Sequence, residues 1–462
     1  MKNRAENRKK LRKILIIFFW LAVWQLLALY FHSPILLASP MDVFRELKAD
    51  VVTAAFWQTA GNSFFHILVG FLAAFLAALV TGIGAARFSF IEELLSPLMQ
   101  LVKAVPVASF VVLLLIWAGS EWLSVWVTFL MVLPVIFQNV LSGIKHTDKE
   151  LLEMAKVFEM PLRNRIRFLY GPALMPFLIS GCKAALGMSW KAGVAAEVIG
   201  TPDFSIGERI YMSKIYLNTA GLFSWTFVVI LLSFLFEKSF LFLLKKAAEI
   251  NKKPVRKRES AGKNGMTEQT SDICLEQVDK YYGEQPVLQN FSMTLKAGGS
   301  YCIMGKSGGG KTTLLRILLD LTDYNKGRAE KPKGNIAAVF QEDRLCMEEN
   351  AVTNVAMVCP KSVSEEEIRE CLETVLPKEE LGKKVCEFSG GMRRRVAIVR
   401  AMLSKASWIV MDEPFTGLDA KTREKMTKFI LQQKGNRTLL VSTHQESDVE
   451  ALEAELIKLC KM

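Results

Sequence analysis

The clearest chemistry in this sequence lies in one glycine-rich loop. A short apolar run, residues 300–304, leads directly into Gly305-Lys306-Ser307-Gly308-Gly309-Gly310-Lys311-Thr312, and a helical pattern starts at Thr313. The glycines let backbone N–H groups close on phosphate oxygens, and the positive end of the following helix favours the same anion. In such a loop the lysine faces the β- and γ-phosphates and the threonine hydroxyl binds Mg²⁺. The sequence therefore predicts a site for a nucleoside triphosphate at residues 305–313.

A second element supplies two carboxylates at the end of another apolar strand. The run is Trp408-Ile409-Val410-Met411-Asp412-Glu413. Asp412 suits a ligand of Mg²⁺, and Glu413 suits the base that orients an attacking water. Together with the glycine-rich loop, this pair predicts hydrolysis of the bound nucleotide.

A third motif identifies a family. Phe388-Ser389-Gly390-Gly391-Met392 resembles the signature motif of ABC ATPases, with Phe and Met where Leu and Gln are commonest. Ser-Gly-Gly at a helix start offers a hydroxyl and free N–H groups to a γ-phosphate. The motif lies too far along the chain to reach its own phosphate loop. The resemblance implies that residues 389–392 face the ATP of a second subunit.

Other short matches agree with this family. Gln341 resembles the Q-loop glutamine, which contacts Mg²⁺, and Asp419 resembles the D-loop aspartate. His444, after a strand predicted at 438–441, resembles the switch histidine that senses the γ-phosphate. Tyr282 resembles the aromatic residue that stacks on adenine, and Tyr281 is the alternative. The resemblance implies ATP and Mg²⁺ as cofactors, an α/β P-loop nucleotide-binding domain over 273–462, Glu413 and His444 as catalytic residues, and Thr312, Gln341 and Asp412 as metal ligands.

The N-terminal half has the pattern of a membrane protein. Charge-free stretches occupy 14–41, 51–86, 104–120, 122–144 and 215–236. A bilayer core of about 30 Å needs about 20 apolar helical residues. The first run is too long for a cleaved signal peptide and has no small-residue cleavage site. We predict an all-α membrane domain over 14–246, with six helices at 14–31, 63–86, 94–118, 122–144, 173–196 and 222–244.

The charges predict which way this domain is inserted. The chain carries a net charge of +12, and residues 1–270 contain 30 Lys and Arg against 18 Asp and Glu. Residues 271–462 contain 28 of each, so the excess lies beside the apolar runs and not on the globular half. Because Lys and Arg accumulate in cytoplasmic loops, we expect a cytoplasmic tail at 1–13 and a cytoplasmic ATPase domain at the plasma membrane. The polar stretch 247–272 is predicted to be the linker between the membrane domain and the ATPase domain. Since the globular half carries no basic excess, we expect no nucleic acid as a partner.

The loop between the fourth and fifth predicted helices, about 145–172, carries a short amphipathic helix. One interpretation is a helix that lies on the membrane surface. However, Glu153-Met154-Ala155, followed by Pro172, resembles the EAA loop of importer-type permeases, with Glu159 where that family usually has glycine. The resemblance implies that Glu153, Ala155 and Glu159 belong to a coupling loop that docks on the ATPase.

Wider pieces resemble permeases for nitrate, sulfonate, taurine and similar solutes. They are Leu36-Leu37-Ala38-Ser39-Pro40, Pro106 in the third predicted helix, and Trp190-Lys191-Ala192-Gly193-Val194-Ala195-Ala196-Glu197. Lys183 is expected to snorkel to the inner interface. Lys191 lies deeper, and it either faces the bundle interior or lines a path for an anionic solute.

These patterns predict ATP-driven import of a small solute by a dimer of this chain, or by a dimer with a related fused chain. The resemblance implies a separate extracytoplasmic substrate-binding protein. An exporter half-transporter also places six spans before an ATPase, but it would need longer helices than these. A membrane regulator that moves no solute is a further alternative. A relic without hydrolysis is disfavoured because Lys311, Asp412, Glu413 and His444 are all present.

Overall fold

The chain folds into two compact units. The computed structural model describes residues 2–249, 272–306, 308–330 and 335–459. One unit contains the described residues of Met1–His146 and Ala173–Ile250, and the other contains those of Thr147–Pro172 and Asn251–Met462. Most of the predicted linker, 250–271, and Ser307 of the phosphate loop lie outside the described residues.

The first unit is entirely helical in its described part. Five of its helical segments are long and apolar enough to cross a membrane, and a bent pair counts as a sixth crossing if taken as one span. Its helices are α1 (Lys2–Phe31), α2 (Pro40–Val51), α3 (Ala54–Arg87), α4 (Ser89–Ala104), α5 (Val107–Ala118), α6 (Leu123–Lys145), α9 (Gly171–Gly200), α10 (Ile206–Ile215) and α11 (Thr219–Glu249). The last helix extends into the start of the predicted linker, and α3 begins nine residues before the predicted 63.

The prediction of one continuous helix over 94–118 is wrong. The structure has α4 and α5 there, bent by 101° at a break around Pro106. Pro106 has no N–H to donate and its ring excludes helical backbone at the residue before it. Val105 is accordingly extended, with φ −71° and ψ 133°. This pair is therefore a broken span or a re-entrant segment.

Small residues allow α3 and α6 to pack closely. A Cβ at Gly82 would lie 2.8 Å from a side-chain carbon of Val140, and a Cβ at Gly70 would lie 2.5 Å from the carbonyl oxygen of Val125. Membrane helices associate through such close backbone contacts because lipid supplies no hydrophobic driving force between them. Around this contact, Phe71 and Phe137 are fully buried.

The second unit is built on two sheets. A five-stranded parallel sheet has the order β5-β6-β7-β3-β8, and an antiparallel sheet has the order β2-β1-β4. The strands are β1 (Ile273–Tyr282), β2 (Gln285–Leu295), β3 (Ser300–Met304), β4 (Lys326–Glu330), β5 (Ile336–Val339), β6 (Trp408–Asp412), β7 (Thr438–Thr443) and β8 (Glu455–Lys458). The predicted strand at 438–441 is thus two residues longer. In parallel sheets, ligand-binding residues gather at the carboxyl ends of strands.

Helices cover this sheet. They are α12 (Lys311–Leu318), α13 (Ala351–Ala356), α14 (Glu365–Val375), α15 (Gly390–Leu403), α16 (Ala420–Lys434) and α17 (Glu446–Ala451). The strands β6 and β7 are buried along their whole length, so the carboxyl ends of both are held rigidly.

The segment 147–172 folds with this second unit. It contains α7 (Lys149–Val157), a single turn α8 (Leu162–Asn164) and a π-helix at Arg165–Tyr170. Met154, Phe158 and Phe168 are buried in the same hydrophobic cluster as the sheet of the second unit. The structure therefore places this segment on the globular unit of its own chain.

Candidate functional site

The glycine-rich loop joins β3 to α12. Gly308 and Gly310 have φ of 76° and 88°, which are left-handed values that glycine adopts without strain. A Cβ at Gly310 would lie 3.0 Å from the Val287 carbonyl oxygen. The Lys311 ammonium donates to the carbonyl oxygens of Gly305 at 2.6 Å and Lys306 at 3.3 Å. Two carbonyl oxygens of the loop thus hold the Lys311 ammonium.

The carboxyl end of β6 meets the start of α12. The Thr312 hydroxyl donates to the Asp412 carboxylate at 2.9 Å. The other oxygen of that carboxylate accepts a short hydrogen bond from the hydroxyl of Ser442 on β7. Thr312 and Asp412, two of the three predicted metal ligands, are therefore adjacent.

Glu413 lies just beyond β6 with a left-handed backbone, φ 48°. Its N–H donates to the carbonyl oxygen and to the hydroxyl of Ser442, both at 3.1 Å. Its carboxylate lies 3.1 Å from Nδ1 of His444 and accepts from the Thr416 hydroxyl at 3.3 Å. The two predicted catalytic residues are in direct contact.

Lys311, Thr312, Glu413 and His444 line one cleft of about 710 Å³, and Asp412 lies behind Thr312 without lining it. The cleft is large enough for a nucleotide. Tyr282 lies at its edge with half of its surface exposed, whereas Tyr281 does not line it. The lining residues are Tyr282, Val287, Gly308, Gly309, Gly310, Lys311, Thr312, Thr313, Gln341, Glu413 and His444.

The signature residues lie elsewhere in the second unit. Ser389 is the N-cap of α15, and its hydroxyl accepts from the N–H of Met392 at 3.3 Å. Neither these residues nor Gly390 and Gly391 line the cleft around Lys311. Asp419 is the N-cap of α16, and hydrogen bonds from Thr422 lower the pKa of its carboxyl. Both motifs present exposed helix starts to solvent.

The predicted coupling residues lie against the nucleotide-binding elements. Glu153 on α7 accepts from both terminal nitrogens of Arg316 on α12, at 2.6 and 3.0 Å. It also accepts from Arg344, three residues after Gln341, at 2.8 Å. Partial burial by itself raises the pKa of Glu153, but hydrogen bonds from the two arginines outweigh it, so its pKa lies below the ordinary value.

The rest of the segment is attached by further polar contacts. The Lys156 ammonium donates to the Asp320 carbonyl at 2.5 Å, and the Asn164 amide donates to the Met357 carbonyl at 2.8 Å. Ala155 is fully buried. Glu159 has a φ of 45°, a value that favours glycine, and it ends the turn after α7. The membrane-surface interpretation of this segment is therefore wrong, since its apolar face is buried in the globular unit.

Several residues of the site escaped the sequence analysis. Arg316 and Arg344 hold Glu153, Ser442 holds Asp412, and Arg394 contacts the ends of two strands. Ser442 had a weak signal, since it stands two residues before His444. The arginines had none. Arg316 and Arg394 stand in helical patterns, where a charged residue normally indicates a solvated face, and Arg344 stands in a segment without helix or strand.

Comparisons with known proteins agree with this geometry. Residues 67–247 match the model of the binding-protein-dependent transport system inner membrane component, and residues 288–416 match the ABC transporter model. The chain is 34% identical to the taurine import ATP-binding protein TauB of Escherichia coli O157:H7 over 193 residues, which is 38% of this chain and 75% of that protein. It is 33% identical to the aliphatic sulfonates import ATP-binding protein SsuB 1 of Rhizobium johnstonii over 200 residues, 40% of this chain and 73% of that protein.

Among solved structures, a dimeric bacterial ABC transporter cassette is 28% identical, with a TM-score of 0.37, over 40% of this chain and 94% of that chain. The chain belongs to the ABC transporter family and combines a permease segment with an ATPase segment in one polypeptide. The two family models and the ATPase relatives confirm the prediction of a helical membrane domain fused to an α/β ABC transport ATPase.

Proposed function

We propose that two copies of this chain form an importer that uses ATP to move a small sulfonate-type anion across the plasma membrane. The observation that carries this proposal is the fusion of an inner-membrane component of binding-protein-dependent transport to an ATPase whose relatives are named for taurine and sulfonate import. A separate extracytoplasmic protein would deliver the solute. The alternative is a heterodimer, in which a related fused chain takes the place of the second copy.

Several residues in and beside the cleft are assigned a part in binding ATP. Lys311 exchanges its loop carbonyls for the β- and γ-phosphates when nucleotide binds, and Tyr282 stacks on the adenine. The residues that would hold Mg²⁺ are Thr312, Asp412 and Gln341, whose oxygen atoms suit this hard cation alongside phosphate oxygens and waters. The ion would neutralise charge on the phosphates. The 2.9 Å contact between Thr312 and Asp412 supports this assignment.

Glu413 acts as the base in hydrolysis. It accepts a proton from water as the water oxygen bonds to the γ-phosphorus and the bond to the leaving ADP oxygen breaks. His444, whose Nδ1 lies 3.1 Å from the Glu413 carboxylate, holds that carboxylate and contacts the γ-phosphate. His444 is a positioning residue toward Glu413 in this scheme.

A second chain completes each site. The residues Ser389 to Met392 lie outside the cleft of their own chain, while Ser389 caps an exposed helix start that favours an anion. These features support a pairing in which the signature of one copy faces the γ-phosphate held by the other. Asp419, at another exposed helix start, would lie at the same interface.

The segment 147–172 carries motion between the two activities. It is continuous with α6 and α9 of the membrane unit, yet its core is shared with the ATPase sheet. Glu153 contacts Arg316 on the helix that follows the phosphate loop and Arg344 just after Gln341. A shift of either nucleotide-binding element therefore moves α7, and through it the two membrane helices.

The proposed orientation of the membrane domain rests on the positions of its Lys and Arg residues. The basic residues of the N-terminal tail 1–13 and of the segment after α11 favour the cytoplasmic side. This pattern supports an ATPase domain in the cytoplasm, where ATP is available. The mechanism then follows as alternating access, in which ATP closes the paired ATPase domains and hydrolysis reopens them.

One face of α9 supports an anionic solute. Lys183 and Lys191 are both exposed, eight residues apart and so about 12 Å along the helix. Between Gly171 and Gly200, where every residue is described, Ile199 is the sole exposed large hydrophobic side chain. By contrast, α11 exposes many large apolar side chains, as expected for a face in contact with lipid. The lysine face of α9 fits a water-filled path better than lipid.

Uptake by sealed vesicles tests this function. The right-side-out orientation of the vesicles, with the ATPase domain inside, is checked first. Labelled taurine, an aliphatic sulfonate and a neutral analogue are then offered with ATP inside and with a purified binding protein outside. We expect ATP-dependent accumulation of a sulfonate and none of the neutral analogue. The Lys191→Met variant should accumulate less sulfonate while its basal ATP hydrolysis is unchanged. Accumulation of the neutral compound alone, or ATP-driven efflux, would reject the proposal.

A further inference from the structure

Three consecutive arginines follow the signature residues on α15, and they behave differently. Arg393 donates to the Phe388 carbonyl at 3.1 Å, and Arg395 donates to the Gly391 carbonyl at 3.2 Å. Both stay partly exposed. Arg393 also donates to the Cys386 carbonyl, and Arg395 also donates to the Val375 carbonyl on α14. Arg394 is only 3% exposed and extends away from its helix into the sheet. Burying a guanidinium costs desolvation free energy unless it is hydrogen-bonded, so the partners of Arg394 show what its burial stabilises.

Those partners are three backbone carbonyls, which belong to one residue that lines the nucleotide cleft and to two residues that immediately precede lining residues. Arg394 donates to the carbonyl oxygen of Phe340 at 2.5 Å, of Asp412 at 3.0 Å and of Glu413 at 2.7 Å. Its nearest carboxylate, Asp343, is farther away at 3.4 Å. Arg394 is therefore held mainly by hydrogen bonds to the backbone and less by an ion pair. A planar guanidinium suits this role because it can donate in several directions at once.

The three carbonyls belong to residues that hold or adjoin functional side chains. Phe340 immediately precedes Gln341, at the end of β5, while Asp412 and Glu413 are at the end of the neighbouring strand β6. Glu413 has a left-handed φ of 48°, which costs a non-glycine residue of order 1 kcal/mol or more. The Arg394 hydrogen bond to its carbonyl helps hold that peptide in place.

We propose that Arg394 is a positioning residue for ATP hydrolysis. It fixes the peptides that carry Gln341 and Glu413, and it ties both to the helix that starts at Ser389. The orientation of the base then depends on the position of the signature helix of the same chain. This inference rests on the role proposed above for Glu413.

The protein offers a matched control for this test. Arg437 also donates to three backbone carbonyls, those of Lys434, Met402 and Gln433, and none of these residues lines the cleft. The test compares Arg394→Gln and Arg394→Lys with Arg437→Gln in the full-length protein. Steady-state ATP hydrolysis, binding of a fluorescent ATP analogue and the melting temperature are measured for each.

We expect kcat of Arg394→Gln to fall about 10- to 100-fold, as is common when a supporting hydrogen-bond partner of an active-site group is lost. KM for ATP and analogue binding should stay within about threefold. Arg394→Lys should recover part of kcat because its ammonium still donates hydrogen bonds, although from a single nitrogen atom. Arg437→Gln should lower the melting temperature without lowering kcat. If Arg394→Gln does not fold, an unchanged kcat in Arg394→Lys rejects the proposal. A rise in KM with unchanged kcat also rejects it.

A double variant separates this inference from the role of the base. If Arg394 acts through Glu413, then Arg394→Gln should change the residual turnover of Glu413→Gln by less than about twofold, because coupled residues are not additive. A full multiplicative loss would overturn the inference and leave the base intact. Full turnover by Glu413→Gln alone would overturn the base assignment instead.

Discussion

The hydroxyl of Thr312 donates to the carboxylate of Asp412 at 2.9 Å, although 100 residues separate them in the chain. The contact joins the start of the helix after the phosphate loop to the end of β6. Ser442 on β7 holds the second oxygen of the same carboxylate. Three elements therefore meet at one side chain, and the hard oxygen atoms gathered there favour Mg²⁺.

This contact predicts a magnesium-dependent defect. In Asp412→Asn, the Mg²⁺ concentration for half-maximal ATP hydrolysis should rise about 10- to 100-fold, because the site loses its negative oxygen ligand. A titration of Mg²⁺ at fixed ATP measures the change. Asp323→Asn, an exposed aspartate away from the cleft, is the control and should titrate as the unmodified protein does. An unchanged Mg²⁺ requirement in Asp412→Asn would remove Asp412 from the metal site.

The bridge between Glu153 and its two arginines predicts a coupling defect. In Glu153→Gln, the stimulation of ATP hydrolysis by the solute-loaded binding protein should fall about fivefold, which corresponds to about 1 kcal/mol for a partly exposed charged contact. Basal hydrolysis should change less. Glu150→Gln, on the exposed side of the same helix, is the matched control. Equal effects of the two substitutions would contradict a specific role for Glu153.

The same contact predicts how stability depends on pH. Because the folded protein holds the pKa of Glu153 below its ordinary value, the carboxylate contributes stability above about pH 5, and this contribution disappears as the pH falls through the folded pKa. The difference in melting temperature between the protein and Glu153→Gln should therefore shrink on acidification from pH 7 to pH 4. A difference that grows on acidification would mean that the pKa is raised.

The left-handed backbone of Glu159 predicts that this position prefers glycine over alanine. At φ 45° a glycine should be more stable than an alanine by about 1 kcal/mol, whereas glycine is usually the less stable of the two. Melting temperatures of Glu159→Gly and Glu159→Ala measure this. Comparing the two variants with each other cancels the loss of the glutamate side chain. A higher melting temperature for alanine would show that the turn relaxes to ordinary backbone angles.

The nucleotide cleft was the most predictable part of the molecule. Phosphate binding requires glycines, a lysine and a hydroxyl within eight residues, so Gly305 to Thr312 are recognisable from spacing alone. The strands of the parallel sheet then bring Asp412, Glu413 and His444 to the same edge. Short motifs that follow apolar strands are readable because the sheet fixes where each strand end must lie.

Other features depended on contacts that no local pattern records. The burial of Arg394 among carbonyls of distant residues leaves no trace in its own neighbours along the chain. The break at Pro106 was missed because the apolar run continues across it, although the proline itself carries the physical reason. The attachment of α7 followed from a resemblance, while its partners Arg316 and Arg344 required the folded structure.

The central claim is that each ATP site is shared by two chains, and complementation in mixed dimers tests it most directly. Differently tagged Lys311→Ala and Ser389→Arg chains are produced together, and dimers carrying both tags are purified. In such a dimer one site contains both defects and the other contains none. The account predicts turnover well above that of either mutant homodimer. Turnover no higher than that of the homodimers, in dimers verified to carry both tags, would contradict it.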